Sequence, residues 1–147
     1  MKTNIQNISL DAVNLQDRSF VVTAGRDTKL LLESISRVGI INPPLLAGSP
    51  TGNKYRIICG FLRLQAIAEL GIRTVTARVA DRATDGGQLL LASLYDNLFH
   101  RQLNPIEKAG AVQRLAGFFP EEDVMRHYLP LLGLPPTAKA LHQYLTL

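Results

Sequence analysis

At 147 residues, 46% of them hydrophobic, the chain has the length for one domain with a small appendage and enough apolar content to bury a core, which excludes a disordered polypeptide. No run of about 18 apolar residues occurs, and Met1-Lys2-Thr3-Asn4 leads into no signal-peptide core, so membrane-spanning and secreted classes are set aside and a cytoplasmic protein is expected. The formal charge of +4 is uneven, with 11 Lys/Arg against 6 Asp/Glu in residues 1–83 and 5 against 6 in residues 84–147, and the single cysteine excludes an internal disulfide or a Cys-based zinc site.

In chain order, residues 4–9 and 18–23 read as short strands, the second on the strength of Phe20, Val21, Val22 and Thr23. Thr28 is placed to cap a helix running to Val38, with Leu31, Ile35 and Val38 on one face and Gly39 as a left-handed C-cap. Residues 45–47 and 55–59 read as a hairpin around Ser49-Pro50-Thr51-Gly52-Asn53. A helix over 61–70 ends at Gly71 and leads to a strand over 74–79, so strand, helix and strand are expected to form a compact crossover unit. Cys59 ends a strand on which Tyr55 and Ile57 share its face by period two, which reads as a buried apolar thiol.

After Asp85-Gly86-Gly87 every segment reads as helix: about 88–98, 105–117, 121–129 and 137 to the end. Asn104, Pro105 and Glu107 have the spacing of a capping box with proline at the first helical position. The last two helices flank Leu132-Gly133-Leu134-Pro135-Pro136, a turn that suits a partial helix-turn-helix, with Arg126, Lys139 and His142 as its candidate DNA contacts. The fold class expected is α+β, a small mixed sheet with packed helices followed by an all-helical part, divided as residues 1–100 and 101–147, the second part being a piece of something longer.

Gly60 lies between a strand and a helix, where the absent Cβ allows close approach and the first N–H groups of the helix point outward. Arg63 falls in the first turn of that helix, a poor place for a cation unless an anion sits between them; the alternative is a surface arginine paired with a nearby acid. Asp96, Asn97, His100 and Arg101 gather an acid, an amide, an imidazole and a guanidinium within one or two turns, a mixture suited to a phosphate and its metal. His100 equally reads as a surface residue, and the three histidines 100, 127 and 142 have no metal-ligand spacing.

The segment Asp96-Asn97-Leu98-Phe99-His100-Arg101-Gln102-Leu103-Asn104-Pro105-Ile106-Glu107 resembles the Glu-Asn-x-x-Arg-x-Asp-Leu-Asn-Pro-Ile-Glu box of the N-terminal domain of ParB/RepB partition proteins. Gly60-Phe61-Leu62-Arg63-Leu64-Gln65-Ala66 resembles that family's Gly-Glu-Arg-Arg-x-Arg-Ala box, and Glu33-Ser34-Ile35 through Gly39-Ile40-Ile41-Asn42-Pro43-Pro44 its Ser-Ile…Gly-x-x-x-Pro segment, in the same order over roughly residues 5 to 117. The resemblance implies a ParB/sulfiredoxin-like fold, a pocket for the triphosphate of CTP with magnesium, and a DNA clamp closed by nucleotide. On it, the nucleotide-binding residues are Gly39, Pro44, Gly60, Phe61, Leu62, Arg63, Asn97, His100 and Arg101. Asp96, with Asn97, would hold magnesium, and Asp96 is the one candidate catalytic acid. DNA and a second copy of the chain are the implied partners.

The departures are specific. The family's glutamate is Phe61 here, its first arginine Leu62 and its third Gln65, so only Arg63 of three arginines remains. The second box keeps an acid in Asp96 and the amide in Asn97, but its arginine is His100; Arg101, one place on, compensates only if the helix bends or ends there, since one place is a rotation of about 100°. Arg18 stands where the family has an early arginine. The related sulfiredoxins use a Gly-Cys-His-Arg box, and here Phe61 and Leu62 occupy the cysteine and histidine places, which disfavours that chemistry; one acid, Asp96, with Glu107 already used in capping, disfavours a two-metal nuclease. Three readings follow: a nucleotide-binding, DNA-associated switch that is at most a weak CTPase, a decayed nucleotide site serving as an interaction scaffold, and a small phosphotransferase or nuclease on the same fold.

Overall fold

A computed structural model describes residues 1–147 and builds its sheet from β1 (Thr3–Ser9), β2 (Leu45–Gly48), β3 (Tyr55–Cys59) and β4 (Thr74–Ala80) in the order β1-β4-β2-β3. β4 shows why: Val75, Ala77 and Val79 are buried while Thr74, Thr76 and Arg78 are exposed, the alternation of a strand with one face on a core. β1 and β3 run antiparallel to their neighbours, and β2 runs parallel to β4. The core takes Ile35 from α1 (Lys29–Val38) and Leu64 and Ile67 from α2 (Phe61–Glu69), an i, i+3 pair. Both α2 residues are essentially without solvent exposure, each burial being worth about 1.5–3 kcal/mol.

The mixed α+β architecture expected from the sequence is present, with four local differences. Residues 18–23 form no strand: Phe20, Val21 and Val22 are buried in an irregular segment, so burial and not pairing accounts for their apolar character. Thr28 occupies the N-cap position of α1 without a side-chain bond; Asp27 Oδ1 instead accepts from the Lys29 N–H at 3.0 Å. Val38, the third member of the predicted apolar stripe, is 66% exposed. Finally, β3, α2 and β4 are no simple crossover, because β2 lies between the two strands and pairs with both. Gly39 closes α1 with φ 76° and its N–H bonded to Ile35 O at 2.9 Å, but its ψ of −170° is extended, so the cap is not the left-handed helical one expected. Cys59 is buried as expected, but lies outside the cluster that holds Tyr55 and Ile57, because the β2–β3 register shifts between Leu45 and Leu46.

Compactness divides the chain at Asp85/Gly86. The expected boundary at residue 100 counts α3 (Gly86–His100) with the first part; the compact units count it with the second. In that second unit α4 (Pro105–Phe118) packs against α3 and against α6 (Ala138–Leu145). The expected helix over 121–129 is a short α-turn, α5 (Glu121–Asp123), passing into a π-turn over Val124–Tyr128 and a 3₁₀ turn over Pro130–Leu132. Leu129 N–H reaches Val124 O, five residues back, at 2.9 Å, and Pro130 has no N–H to continue the ladder.

Candidate functional site

β3 delivers the chain to Gly60, which turns it into α2 with φ 92° and ψ 28°, a left-handed conformation that a side chain resists. There is no room for one either: a Cβ on Gly60 would lie 2.8 Å from Pro44 Cβ and 2.9 Å from Arg63 Nη2. The glycine therefore lets the Arg63 guanidinium fold back over the first turn of its own helix, where Nη1 donates to Asn42 O. Pro44 is buried and its carbonyl accepts from Arg78 N–H at 2.9 Å, which ties this wall to β4. Gly60, Pro44 and Arg63 are thus brought together. Gly39 is not part of that contact and its missing Cβ faces open space.

Phe61 and Leu62 are half-buried, and Phe61 packs on the sheet core. The Arg18 guanidinium carbon stands 4.5 Å above the Phe61 ring, and its Nη2 donates to Thr23 O at 2.9 Å. Gln65 spans to the loop before α1, donating to Leu15 O at 3.0 Å, so the side chain in place of a third arginine joins two segments of the unit. Asn42 was missed in the sequence, although it lies inside the Gly39–Pro44 segment; the Arg18–Phe61 contact joins residues far apart in sequence and had no local signal.

The second set sits at the α3–α4 junction. His100 Nε2 lies 3.8 Å from Asp96 Oδ1, with the two side chains 65% and 39% exposed, a surface pair one helical turn apart. α3 ends at His100, as a compensating role for Arg101 requires, yet the Arg101 guanidinium is committed elsewhere. Its Nη1 donates to Glu107 Oε1 at 2.7 Å and its Nη2 to Asn97 Oδ1 at 2.9 Å. Asn97 Nδ2 in turn donates to Ser93 O at 2.8 Å. Glu107, whose side chain is wholly buried, also accepts from Asn104 N–H at 3.0 Å, while Asn104 Oδ1 accepts from Glu107 N–H at 2.8 Å. The capping box is present as read, with a guanidinium added to it.

No group of three or more His, Cys, Asp or Glu side chains converges anywhere in the chain. Asp96 offers one carboxylate, and Asn97 beside it one amide oxygen; that donor set fits a magnesium ion arriving with phosphate and water ligands, not a metal held by protein alone. Of the C-terminal cations, Arg126 pairs with Glu122 at 2.7 Å, while Lys139 and His142 are exposed on α6, whose Thr137 cap bonds Ala140 N–H at 3.1 Å. No helix is long and apolar enough to cross a membrane.

Residues 1–98 match the ParB N-terminal domain family. The probable chromosome-partitioning protein ParB of Coxiella burnetii is 32% identical over 155 residues, covering 95% of this chain and 51% of that protein. A C-terminally truncated chromosome-partitioning protein ParB from Caulobacter crescentus, solved with CTP-gamma-S, superposes with a TM-score of 0.58 at 21% identity over 90% of this chain and 73% of that one. The same protein solved on its centromeric parS site gives 0.52 at 19%, over 95% and 69%. At those identities the solved structures show the shared fold. The chain spans between 27% and 52% of the length of the curated relatives it matches.

Proposed function

The chain belongs to the ParB N-terminal domain family, and from that premise we propose that it is the nucleotide-binding part of a DNA-associated partition protein, taking CTP with magnesium to control clamp or dimer state. The observation that carries the reading is the Gly60 turn. A left-handed glycine opens α2, and an arginine is folded over its first N–H groups, at the place of the family's first box. A guanidinium hydrogen-bonded to a neutral carbonyl gains when a phosphate oxygen replaces that carbonyl, because a charged acceptor makes the stronger bond.

On this reading Gly39 and Pro44 shape the approach, and Gly60, Phe61 and Leu62 present the backbone of the turn. Arg63 binds phosphate, His100 adds a contact when protonated, and Asn97 binds a phosphate oxygen. Magnesium, when bound, neutralises phosphate charge, and Asp96 with Asn97 would hold it; Asp96 is also the only acid offered for a slow hydrolysis. DNA contacts are assigned to Arg126, Lys139 and His142, and a second copy of the chain is the expected partner. The Caulobacter crescentus protein of the same fold was solved with CTP-gamma-S and on parS, ligands of the two classes proposed here.

Calorimetric titration of CTP, ATP and GTP, with and without magnesium, tests the proposal. Magnesium-dependent, CTP-selective binding that Arg63→Ala weakens at least tenfold is expected. Arg63→Ala binding as tightly as the parent would remove the role given to that residue. No nucleotide binding at millimolar concentration would leave an interaction scaffold, the reading favoured by the structural use of Gln65.

A further inference from the structure

We infer that Arg101 is a positioning residue for Asn97 and not itself a phosphate contact; the inference rests on the nucleotide reading above. A side-chain amide has two chemically different ends that a half-turn of its last torsion exchanges. Here the oxygen end accepts from Arg101 Nη2 at 2.9 Å and the nitrogen end donates to Ser93 O at 2.8 Å. Guanidinium has only donors and a carbonyl only lone pairs, so the flipped amide would set donor against donor and acceptor against acceptor. The pair of contacts selects one orientation.

Glu107 holds the guanidinium itself. Its side chain has no exposure, and the oxygen that takes Arg101 Nη1 at 2.7 Å also takes the Asn104 N–H at 3.0 Å. A ligand that drew Arg101 away would strand a buried carboxylate, which costs more than an exposed phosphate contact returns. The backbone supports the same geometry: α3 stops at His100, and Arg101 N–H closes onto Asn97 O at 3.2 Å, so the side chain turns back toward Asn97. His100, one place earlier, faces Asp96 instead. Moving the arginine from position 100 to 101 therefore converts a charge that the family resemblance gives to the ligand into one that orients the neighbouring amide.

Arg101→Met alone would leave Glu107 unpaired and risks unfolding, so the test combines it with Glu107→Gln, which keeps the capping-box acceptor, and checks the fold by circular dichroism. The double variant should bind CTP at least tenfold more weakly than the parent. The same two substitutions should change affinity less than twofold in an Asn97→Ala background, because the residue they act through is gone. An equal loss in both backgrounds, or no loss in the parent background, overturns the inference. If the parent binds no CTP, the nucleotide reading fails, and ligand-free ¹H–¹⁵N spectra still decide the point. The two Asn97 side-chain amide protons should be widely separated in the parent and move toward ordinary solvent-exposed values in the double variant; identical signals in both overturn it.

Discussion

Gly60 is the residue whose replacement separates geometry from chemistry. Gly60→Ala adds no charge and removes no donor, yet it places a Cβ in a left-handed conformation, costing about 1–2 kcal/mol. It also sets that atom 2.8 Å from the ring of Pro44, which cannot swing aside. A loss of at least about 2 kcal/mol is expected in urea titration, with weaker nucleotide binding as the Arg63 guanidinium is pushed off the turn. A variant as stable as the parent would show that Pro44 and α2 separate more easily than their packing suggests. At this scale the sequence was informative where the signal is local: Gly60 and Arg63 stand at a strand-to-helix turn and Asn104 three residues before Glu107, although the partners Pro44 and Asn42 come from another segment. Arg18 above Phe61 and Gln65 on Leu15 O carry no such signal, since each depends on a partner supplied by another segment. The Arg101 bond to Glu107 is hidden for a related reason: capping accounts for Glu107 by itself, and a second bond to the same oxygen leaves no mark on the local pattern.

Among the elements, the α3–α4 joint and the irregular 121–132 segment respond to different perturbations. Glu107→Ala removes both the cap acceptor and the ion-pair partner, leaving Arg101 23% exposed and unpaired from it; a loss of about 3–5 kcal/mol is expected by thermal or denaturant melting. Glu107→Gln should cost clearly less, because the N3 amide still closes the box. In the π-turn, Tyr128 packs on Phe119 with ring centroids 5.0 Å apart and planes tilted by 46°, and its hydroxyl titrates above the usual 10.0 because burial, then Tyr95 and Asp123, oppose the phenolate. The folded chain thus keeps that proton where the unfolded chain has begun to lose it. Stability should be unaffected below about pH 10 and fall as the pH rises through the folded value; Tyr128→Phe should flatten that alkaline fall in melting curves, and an unchanged slope would remove the assignment. The spans of α1, α2 and α4 were legible because Gly39, Gly60 and Asn104 each mark an end. Residues 18–23 were misread because β-branched and aromatic content reports burial as readily as strand pairing.

For the molecule as a whole, the order of mixed sheet followed by helices could be read along the chain, since the strand periods stop at Asp85. The sheet order could not: that β4 inserts between β1 and β2 is a choice among pairings that local pattern leaves equivalent. α3 falls within the residues that match the family, up to residue 98, while compactness groups it with the second unit. The shared oxygen of Glu107 also constrains how such a chain can drift. Replacing Arg101 first strands a buried acid, and replacing Glu107 first by an apolar residue removes the cap acceptor and the carboxylate from a guanidinium left with Asn97, so either of these steps passes through a weakened protein. A neutral glutamine at 107 is the passable intermediate, so the order of substitutions decides whether a descendant of this sequence can release the arginine at 101 and carry one at position 100.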